Sequence, residues 1–178
     1  MLDLAKAKRE SEFPEVRRPA RDIYIEPDLD DLARYEKTFL IPAKRIAFDI
    51  ETSGNQITCI GFAPDERSAL VVPFTDYRIG TGSYWPTLWH ESQAWAFVRR
   101  VLASPKPKTA QNGLYDINFL WKSYGMTVTN FEDDTMLLHH ALQPESEKGL
   151  AFLGSVYTNE ASWKMMRTRG KTTIKRDE

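Results

Sequence analysis

The segment "RIAFDIE" alternates apolar and polar residues, and this pattern constrains the fold more than any other in the chain. Ile46, Phe48 and Ile50 recur at every second residue and therefore lie on one face of a β-strand. Asp49 and Glu51 then lie on the opposite face. "QITCIGF" and "SALVVPF" have the same strand character, and the turn-like "APDER" lies between them. The three segments predict an antiparallel meander.

Downstream of the meander, the chain alternates helix and strand patterns. An apolar helical pattern runs from about Glu91 to Ala103, and another runs from about Leu114 to Tyr124, where Gly125 is placed as a C-terminal cap. Strand patterns flank the second helix, with "KTAQN" before it and "MTVTNFE" after it. Three strands followed by alternating helices and strands predict an α/β layered domain.

Capping residues predict further helices at both ends of this region. Asp28 is a candidate N-cap for an amphipathic helix that continues to Phe39 and is closed by Pro42. Asp133 or Asp134 is a candidate N-cap for "DDTMLLHHAL". The segment "GLAFLGSVY" predicts one more helix.

The composition fits one domain with a hydrophobic core. The chain has 178 residues and a formal net charge of −1. Its overall charge therefore does not favour polyanion binding, and contact with nucleic acid requires a local patch or metal ions. Cys59 is the one cysteine, which excludes an internal disulfide and a cysteine-based zinc site. We expect 1–22 to be a flexible arm, 23–163 the folded domain and 164–178 a basic tail.

The start of the chain and its apolar segments bear on where the protein is located. Its start, "MLDLAKAKRESEF", lacks the apolar core of a signal peptide, and no segment is long and apolar enough to cross a membrane. We therefore expect a cytoplasmic protein, in a bacterium or a phage-infected host cell, with no membrane partner.

The two acids of the first strand need an explanation. The charges of Asp49 and Glu51 have the same sign and lie on one face of the strand, so they repel each other. A bound cation is the usual compensation. Oxygen ligands of this kind suit Mg²⁺ or Mn²⁺ better than zinc. The alternative is a strand end at which both acids reach water.

A second acidic position lies in "TAQNGLYDINFL". Asn112 is at the end of a predicted strand, and Asp116 follows it in the first turn of the next helix. Such a junction suits a phosphate or metal site. The alternative is that Asp116 complements the helix dipole.

These motifs occur together in one order: "FDIET", a meander, "QNGLYD" and then "DTMLLHHAL". The order resembles the DEDD family of 3′–5′ exonucleases, and above all the proofreading domain of family A DNA polymerases, including phage-type ones. The similarity extends from about Ile46 to Tyr157. It implies an RNase H-like fold, with a mixed five-stranded sheet of an antiparallel meander plus two parallel strands, flanked by helices.

The resemblance also implies a site with two divalent metal ions, Mg²⁺ or Mn²⁺, held by four carboxylates. Asp49 would bridge both ions, Glu51 would bind one ion and orient the attacking water or the terminal nucleotide, and Asp116 would hold the second ion. Asp134 corresponds to a helix cap and not to a ligand.

Candidate nucleic-acid contacts lie beside these acids and in one loop. The resemblance implies that Asn112 contacts the terminal nucleotide, and we expect Thr52 and Gln111 to line the same site. Trp85, with the neighbouring Tyr84 and Trp89, is a candidate for stacking on unpaired bases. The alternative is that these aromatic side chains cover the core.

The sequence departs from the family pattern at its fourth acid. The family places Tyr-x-x-x-Asp or His-x-x-x-Asp on a late helix, where the Tyr or His acts as the general base or positions it. Here His139, His140 and Tyr157 are followed four residues later by Gln143, Pro144 and Ala161. Three explanations stay open: truncation before the last segment, completion by another chain, or a natural pseudo-exonuclease. Asp177 and Glu178 are chain-end candidates for the missing carboxylate.

A basic cluster close to the chain end has two interpretations. It would follow a phosphate backbone or form a solvated tail. Its members are Lys164, Arg167, Arg169, Lys171, Lys175 and Arg176.

We therefore predict a metal-dependent 3′–5′ exonuclease that acts on single-stranded or frayed DNA 3′ ends as a proofreading module, with a DNA polymerase module or a completing chain as a further partner. The alternative is a non-catalytic module that binds nucleic acid or docks to a polymerase. An RNA-trimming enzyme of the same superfamily is a third hypothesis.

Overall fold

The computed structural model describes residues 2–160, except 16, 17, 19, 80 and 81. The described residues divide into two compact units. The larger one lies within 19–138, and the smaller one is formed by parts of 1–18 and 139–160. The predicted site residues between residues 49 and 116 all belong to the larger unit.

Six strands of the described residues form one mixed sheet. In chain order they are β1 (Asp22–Tyr24), β2 (Ile46–Ser53), β3 (Gln56–Ala63), β4 (Ser68–Pro73), β5 (Lys108–Ala110) and β6 (Phe131–Asp134). Across the sheet the order is β1-β4-β3-β2-β5-β6. β2, β3 and β4 pair antiparallel, whereas the pairs β1–β4, β2–β5 and β5–β6 are parallel. The predicted meander and its two parallel neighbours are confirmed.

Helices accompany this sheet and extend into the smaller unit. They are α1 (Leu2–Glu10), α2 (Leu29–Tyr35), α3 (Leu88–Ala103), α4 (Gly113–Tyr124), α5 (Thr135–Leu142) and α6 (Leu150–Tyr157). Residues Glu36–Leu40 continue α2 as a π-helical segment. α1 and α6 belong to the smaller unit, and the boundary between the units falls within α5.

Local capping explains where several helices begin and end. The Asp28 side chain accepts a hydrogen bond from the Asp31 N–H, and the Asp31 side chain accepts one from the Asp28 N–H, which forms the capping box of α2. Thr87 caps α3 and starts it three residues before the predicted Glu91. Gly125 ends α4 in the left-handed conformation, at φ 58°.

The core of the larger unit lies between one face of the sheet and its helices. The predicted inner face of α3 is buried, and Phe97 of that face packs edge-on against Phe62 of β3. The β2 residues Ile46, Phe48 and Ile50 are also buried, at 1%, 3% and 6% exposure. Alternation along β2 therefore separates a core face from an open face, as the sequence predicts.

Three elements differ from the sequence prediction. The edge strand β1 makes the sheet six-stranded instead of five-stranded. β6 begins at Phe131, near the end of the predicted segment "MTVTNFE", and not at residue 126, because Asn130 adopts φ 58°, which interrupts an extended strand. Residues 2–10 form the helix α1, where no regular element was predicted.

Several predictions lie outside the described residues. The basic cluster between residues 164 and 176 and the chain-end acids Asp177 and Glu178 are among them. The domain limits at 22/23 and 163/164 stay predictions. In the described part of the chain, no helix combines the length and apolarity needed to cross a membrane.

Candidate active site

Asp49 and Glu51 lie on the open face of β2, where both residues are exposed. β2 is held between β3 and β5, so the backbone that carries the two acids is fixed on both sides. A β-bulge in the pairing with β3 follows directly, between Glu51 and Thr52. Such a bulge re-aims the side chains at the strand end.

Asp116 comes from the first turn of α4 and is buried, at 4% exposure. Its Oδ1 accepts a hydrogen bond from the backbone N–H of Ile50, at 3.2 Å. β5 pairs with β2 only at Ile46 and Ala47, which leaves the Ile50 amide available to Asp116. The structure thus brings Asp116 to the strand segment between the two other predicted acids.

The electrostatics of the site reflect this convergence. Burial raises the pKa of Asp116 to about 6, and the negative charges of Asp49 and Asp134 act in the same direction, against the hydrogen bond from Ile50. The Asp49 side chain is reached by solvent, yet neighbouring atoms crowd its carboxyl group. This desolvation, together with the charge of Glu51, raises the pKa of Asp49. The acids therefore favour a positive charge between them.

The strand and helix motifs are joined a second time by Thr52 and Tyr115. The Thr52 hydroxyl and the Tyr115 hydroxyl lie 3.3 Å apart, within hydrogen-bond distance. Tyr115 directly precedes Asp116 and is 52% exposed. Thr52 thus contacts the first turn of α4 beside Asp116, its role in nucleic-acid binding stays a prediction, and Tyr115 offers a further hydroxyl next to it.

Asn112 and Gln111 form the connection from β5 to α4. Asn112 is exposed and has a left-handed backbone, with φ 57° and ψ 40°. The Gln111 side-chain oxygen accepts a hydrogen bond from the Thr135 hydroxyl. The carboxylate of Asp134 accepts the backbone N–H groups of both Asn112 and Gly113. Asn112 is therefore exposed at the start of α4, four residues before Asp116, while Gln111 is engaged by its own chain.

Trp85 is not a base-stacking residue in this structure, which corrects the sequence prediction. Its side chain is only 4% exposed and lies in the core of the larger unit. It packs edge-on against Tyr84, whose hydroxyl donates to the Pro27 carbonyl oxygen at 3.0 Å. Trp89, in the first turn of α3, is 61% exposed, so the two neighbouring tryptophans have different environments. Burying the large Trp85 ring in the core stabilises the fold, and the buried ring is not available to stack on a base.

The donor set of the site fits a hard divalent cation. Asp49, Glu51 and Asp116 offer carboxylate oxygens, which suit Mg²⁺ or Mn²⁺. The raised pKa values of Asp49 and Asp116 show a crowded negative site that a cation would relieve. Among the described residues, no three His, Cys, Asp or Glu side chains form a group ready to hold a metal ion. The charges of Asp49 and Glu51 interact, as do those of Asp116 and Asp49, but the three carboxylates do not come together as one metal-binding group.

Sequence reasoning missed two contributors to this site. Tyr115 was part of the quoted "QNGLYD" motif, but its link to Thr52 depends on how α4 packs against β2. Asp134 was predicted as a cap, and its Oδ1 does accept the Met136 N–H at 2.9 Å. Its bonds to the start of α4 follow from the parallel pairing of β5 with β6, which places Ala110 beside Asp134. The strand-end position of Asp134 was the one available signal.

Comparison with known proteins gives one family match, to residues 27–175. The matching family model is described as a 3′–5′ exonuclease. A search of curated proteins gives no significant match.

Solved structures with a similar fold are nucleases and a polymerase. RNase D of Escherichia coli, an exoribonuclease involved in structured RNA processing, has 19% identity and a TM-score of 0.57 over 84% of this chain and 36% of its own. RNase D of Trypanosoma brucei in complex with RNA U12 has 13% identity and a TM-score of 0.60, over 84% and 51%. The POL domain of Pol1 from M. smegmatis, in complex with DNA primer-template and dNTP, has 17% identity and a TM-score of 0.56, over 77% and 22%.

The chain thus spans 36% of the length of the E. coli enzyme. At these identities the likeness concerns the fold, and the predicted RNase H-like α/β fold is confirmed.

Proposed function

Because this chain belongs to the 3′–5′ exonuclease family related to the proofreading domains of family A DNA polymerases, we propose that it hydrolyses single-stranded or frayed DNA from the 3′ end. One observation carries the proposal. The buried carboxylate of Asp116 is fixed by the Ile50 amide on the strand segment that presents Asp49 and Glu51. This contact, which joins Asp116 to the strand that carries the other two predicted acids, supports the proposal.

Asp49, Glu51 and Asp116 would hold the metal ions of the site, Mg²⁺ or Mn²⁺, with two ions in the complete form. When bound, such ions supply a water of lowered pKa for attack on the 3′-terminal phosphodiester and compensate the charge on the leaving 3′-oxygen. The family as a whole depends on divalent cations, and the donor set of this chain agrees with that dependence.

The other side chains of the site would orient the substrate. Asn112 offers an amide at the start of α4, and the paired hydroxyls of Thr52 and Tyr115 lie next to the acids. Hydroxyl and amide groups in these positions suit the sugar and phosphate of a terminal nucleotide. Contacts of this kind hold the scissile bond against the carboxylates, which is a large part of what catalysis requires.

A proofreading role is the finer part of this proposal, and 3′-end structure tests it. Such an enzyme shortens a primer with a mismatched 3′ end faster than a fully paired one, because a frayed end reaches the site at lower cost. Initial rates on mismatched, paired and single-stranded DNA, with an RNA strand of equal sequence beside them, separate the possibilities. Preference for RNA over single-stranded DNA would contradict the proposed substrate.

A non-catalytic role is the second candidate, and a specific observation favours it. The acids of the described residues do not form a closed metal group, and the family's Tyr-x-x-x-Asp or His-x-x-x-Asp motif is not found after "DTMLLHHAL". A module of this kind would bind a single-stranded oligonucleotide, or a polymerase module, without shortening the strand. Binding measured by fluorescence anisotropy beside cleavage in the same buffer distinguishes the two candidates.

A further inference from the structure

The N-terminus of α4 differs from the other helix starts of the larger unit. An N-cap residue usually has an extended backbone, and its side chain accepts an N–H from the first turn. Asp28 and Thr87 follow this rule at α2 and α3. Asn112 has the N-cap position of α4, but its backbone is left-handed and its side chain makes no capping hydrogen bond. An asparagine, one of the best capping residues, is thus not used as a cap.

The capping function is performed instead by Asp134, a residue 22 positions away. Its Oδ1 accepts the Asn112 N–H at 3.0 Å, and its Oδ2 accepts the Gly113 N–H at 2.9 Å. The Asp134 residue is buried, at 5% exposure, so these bonds are shielded from water. One carboxylate at the end of β6 therefore fixes the first amides of the helix that carries Asp116.

Close packing keeps this junction in place. A Cβ on Gly113 would lie 2.6 Å from the Phe131 ring and 2.8 Å from the Ala110 Cβ, so the backbone runs directly against the end of the sheet. Asn is one of the few residues other than glycine that adopts the left-handed conformation at low cost. The Asn112 side chain remains exposed beyond this tight turn.

We propose that Asp134 is a positioning residue that replaces Asn112 as the cap of α4 and thereby frees the Asn112 side-chain amide to bind the 3′-terminal nucleotide. The proposal rests on the proposed function for its substrate. Capping α4 and binding the nucleotide are two tasks that the Asn112 side chain cannot perform together, because an amide that caps the helix is turned inward. Here Asp134 caps the helix and Asn112 is left to bind. Asp134 acts on the site through the backbone of residues 112 and 113 and does not touch the substrate; its Oδ1 also accepts the Met136 N–H of α5.

The test is a double-mutant cycle on oligonucleotide affinity. Asn112→Gly removes the side chain and keeps the left-handed backbone. Asp134→Asn leaves one amide oxygen and an NH₂ group to face three backbone N–H donors, those of Asn112, Gly113 and Met136. The dissociation constant of a 5′-fluorescein single-stranded DNA is measured by anisotropy in Ca²⁺, and cleavage is measured separately in Mg²⁺. Hydrogen exchange of the Gly113 amide reports the cap itself. Asp28→Asn, the same substitution at the cap of α2, is the matched control.

We expect Asn112→Gly and Asp134→Asn each to weaken binding by roughly tenfold, the loss of about one hydrogen bond. The double variant should bind within about twofold of the weaker single variant, because both changes remove the same contact. The Gly113 amide should exchange faster in Asp134→Asn and stay protected in Asn112→Gly. Asp28→Asn should bind as the wild type does.

Three results would overturn the proposal: an unchanged affinity in Asn112→Gly, additive losses in the double variant, or a wild type that does not bind the oligonucleotide. If Asp134→Asn does not fold, the wild type and Asn112→Gly still decide. The predicted affinity pattern without any cleavage by the wild type in Mg²⁺ would refute the proposed exonuclease activity alone.

Discussion

The eight residues of strand β2 form two faces with different roles. On one face Ile46, Phe48 and Ile50 are almost fully buried and anchor the strand in the core. On the other face Asp49 and Glu51 are exposed and carry like charges. The apolar face holds the acids in a fixed position, so the energetic cost of bringing them together is met by burial elsewhere in the strand. Stability and activity should therefore respond to different faces of β2.

The largest effect is expected from the open face, on activity. Asp49→Ala should lower kcat/KM for a single-stranded DNA substrate by about a thousandfold or more, because a carboxylate that would hold the metal ions is lost. Its free energy of unfolding should stay near that of the wild type. The matched control is Glu66→Ala, which removes an exposed acid from the β3–β4 turn. Equal loss of activity in both variants would show that the effect of Asp49→Ala is not specific to the open face of β2.

The buried face should show the opposite behaviour. Phe48→Ala should lower the free energy of unfolding by about 3–5 kcal/mol, because Phe48 is 3% exposed and packs edge-on against Phe131. Chemical denaturation measures the loss. Tyr77→Ala, which removes an aromatic side chain that is 79% exposed, should change stability by less than about 0.5 kcal/mol. Similar losses in the two variants would show that Phe48 is not a core residue.

Asp116, the buried acid, should affect both stability and activity. Its pKa is raised from 3.8 to about 6 in the folded protein, so the folded state binds the proton more tightly than the unfolded state does. The stability that this proton contributes is present below about pH 4 and is lost as the pH rises to about 6. Without metal at pH 7, Asp116→Asn should be more stable than the wild type by roughly 2–3 kcal/mol, yet inactive.

Urea denaturation in EDTA at pH 4, 5, 6 and 7 tests this sign. The stability difference between Asp116→Asn and the wild type should grow over that range. A constant difference would mean that Asp116 does not titrate between pH 4 and pH 6.

The smallest effect is expected at the junction beside the site. Gly113→Ala should cost about 1–3 kcal/mol of stability, because its Cβ would lie 2.6 Å from the Phe131 ring. Gly61→Ala in β3 is the control, since its Cβ would meet nothing nearer than the Asp49 carbonyl oxygen, at 3.9 Å. Thermal unfolding of both variants compares them. A Gly61→Ala variant that is the less stable of the two would contradict the packing described here.

The elements predicted best from the sequence were those with strong local patterns. β2 was predicted from its alternation and α3 from its apolar face, and both patterns arise from burial of nearby residues. β1 was missed because a strand of three residues has no periodicity, and it forms only by pairing with β4. The beginning of β6 was set by the left-handed Asn130, a backbone choice that the sequence does not reveal.

The site was predicted in part for the same reason. Asp49, Glu51 and Asp116 belong to recognisable motifs, and their convergence follows from the fold. The burial of Trp85 and the bonds from Asp134 to α4 depend on tertiary neighbours, which no local pattern encodes. Contacts of this kind join residues that are distant in the sequence, so they are identified only from the structure.

The most direct test of the central claim is the fate of a 5′-labelled single-stranded DNA incubated with the full chain in Mg²⁺ or Mn²⁺. The account predicts a ladder that shortens from the 3′ end, disappears in EDTA and is absent with Asp116→Asn. No shortening by folded wild-type protein, or a ladder that persists in Asp116→Asn, would contradict the claim that these three acids form a nuclease site.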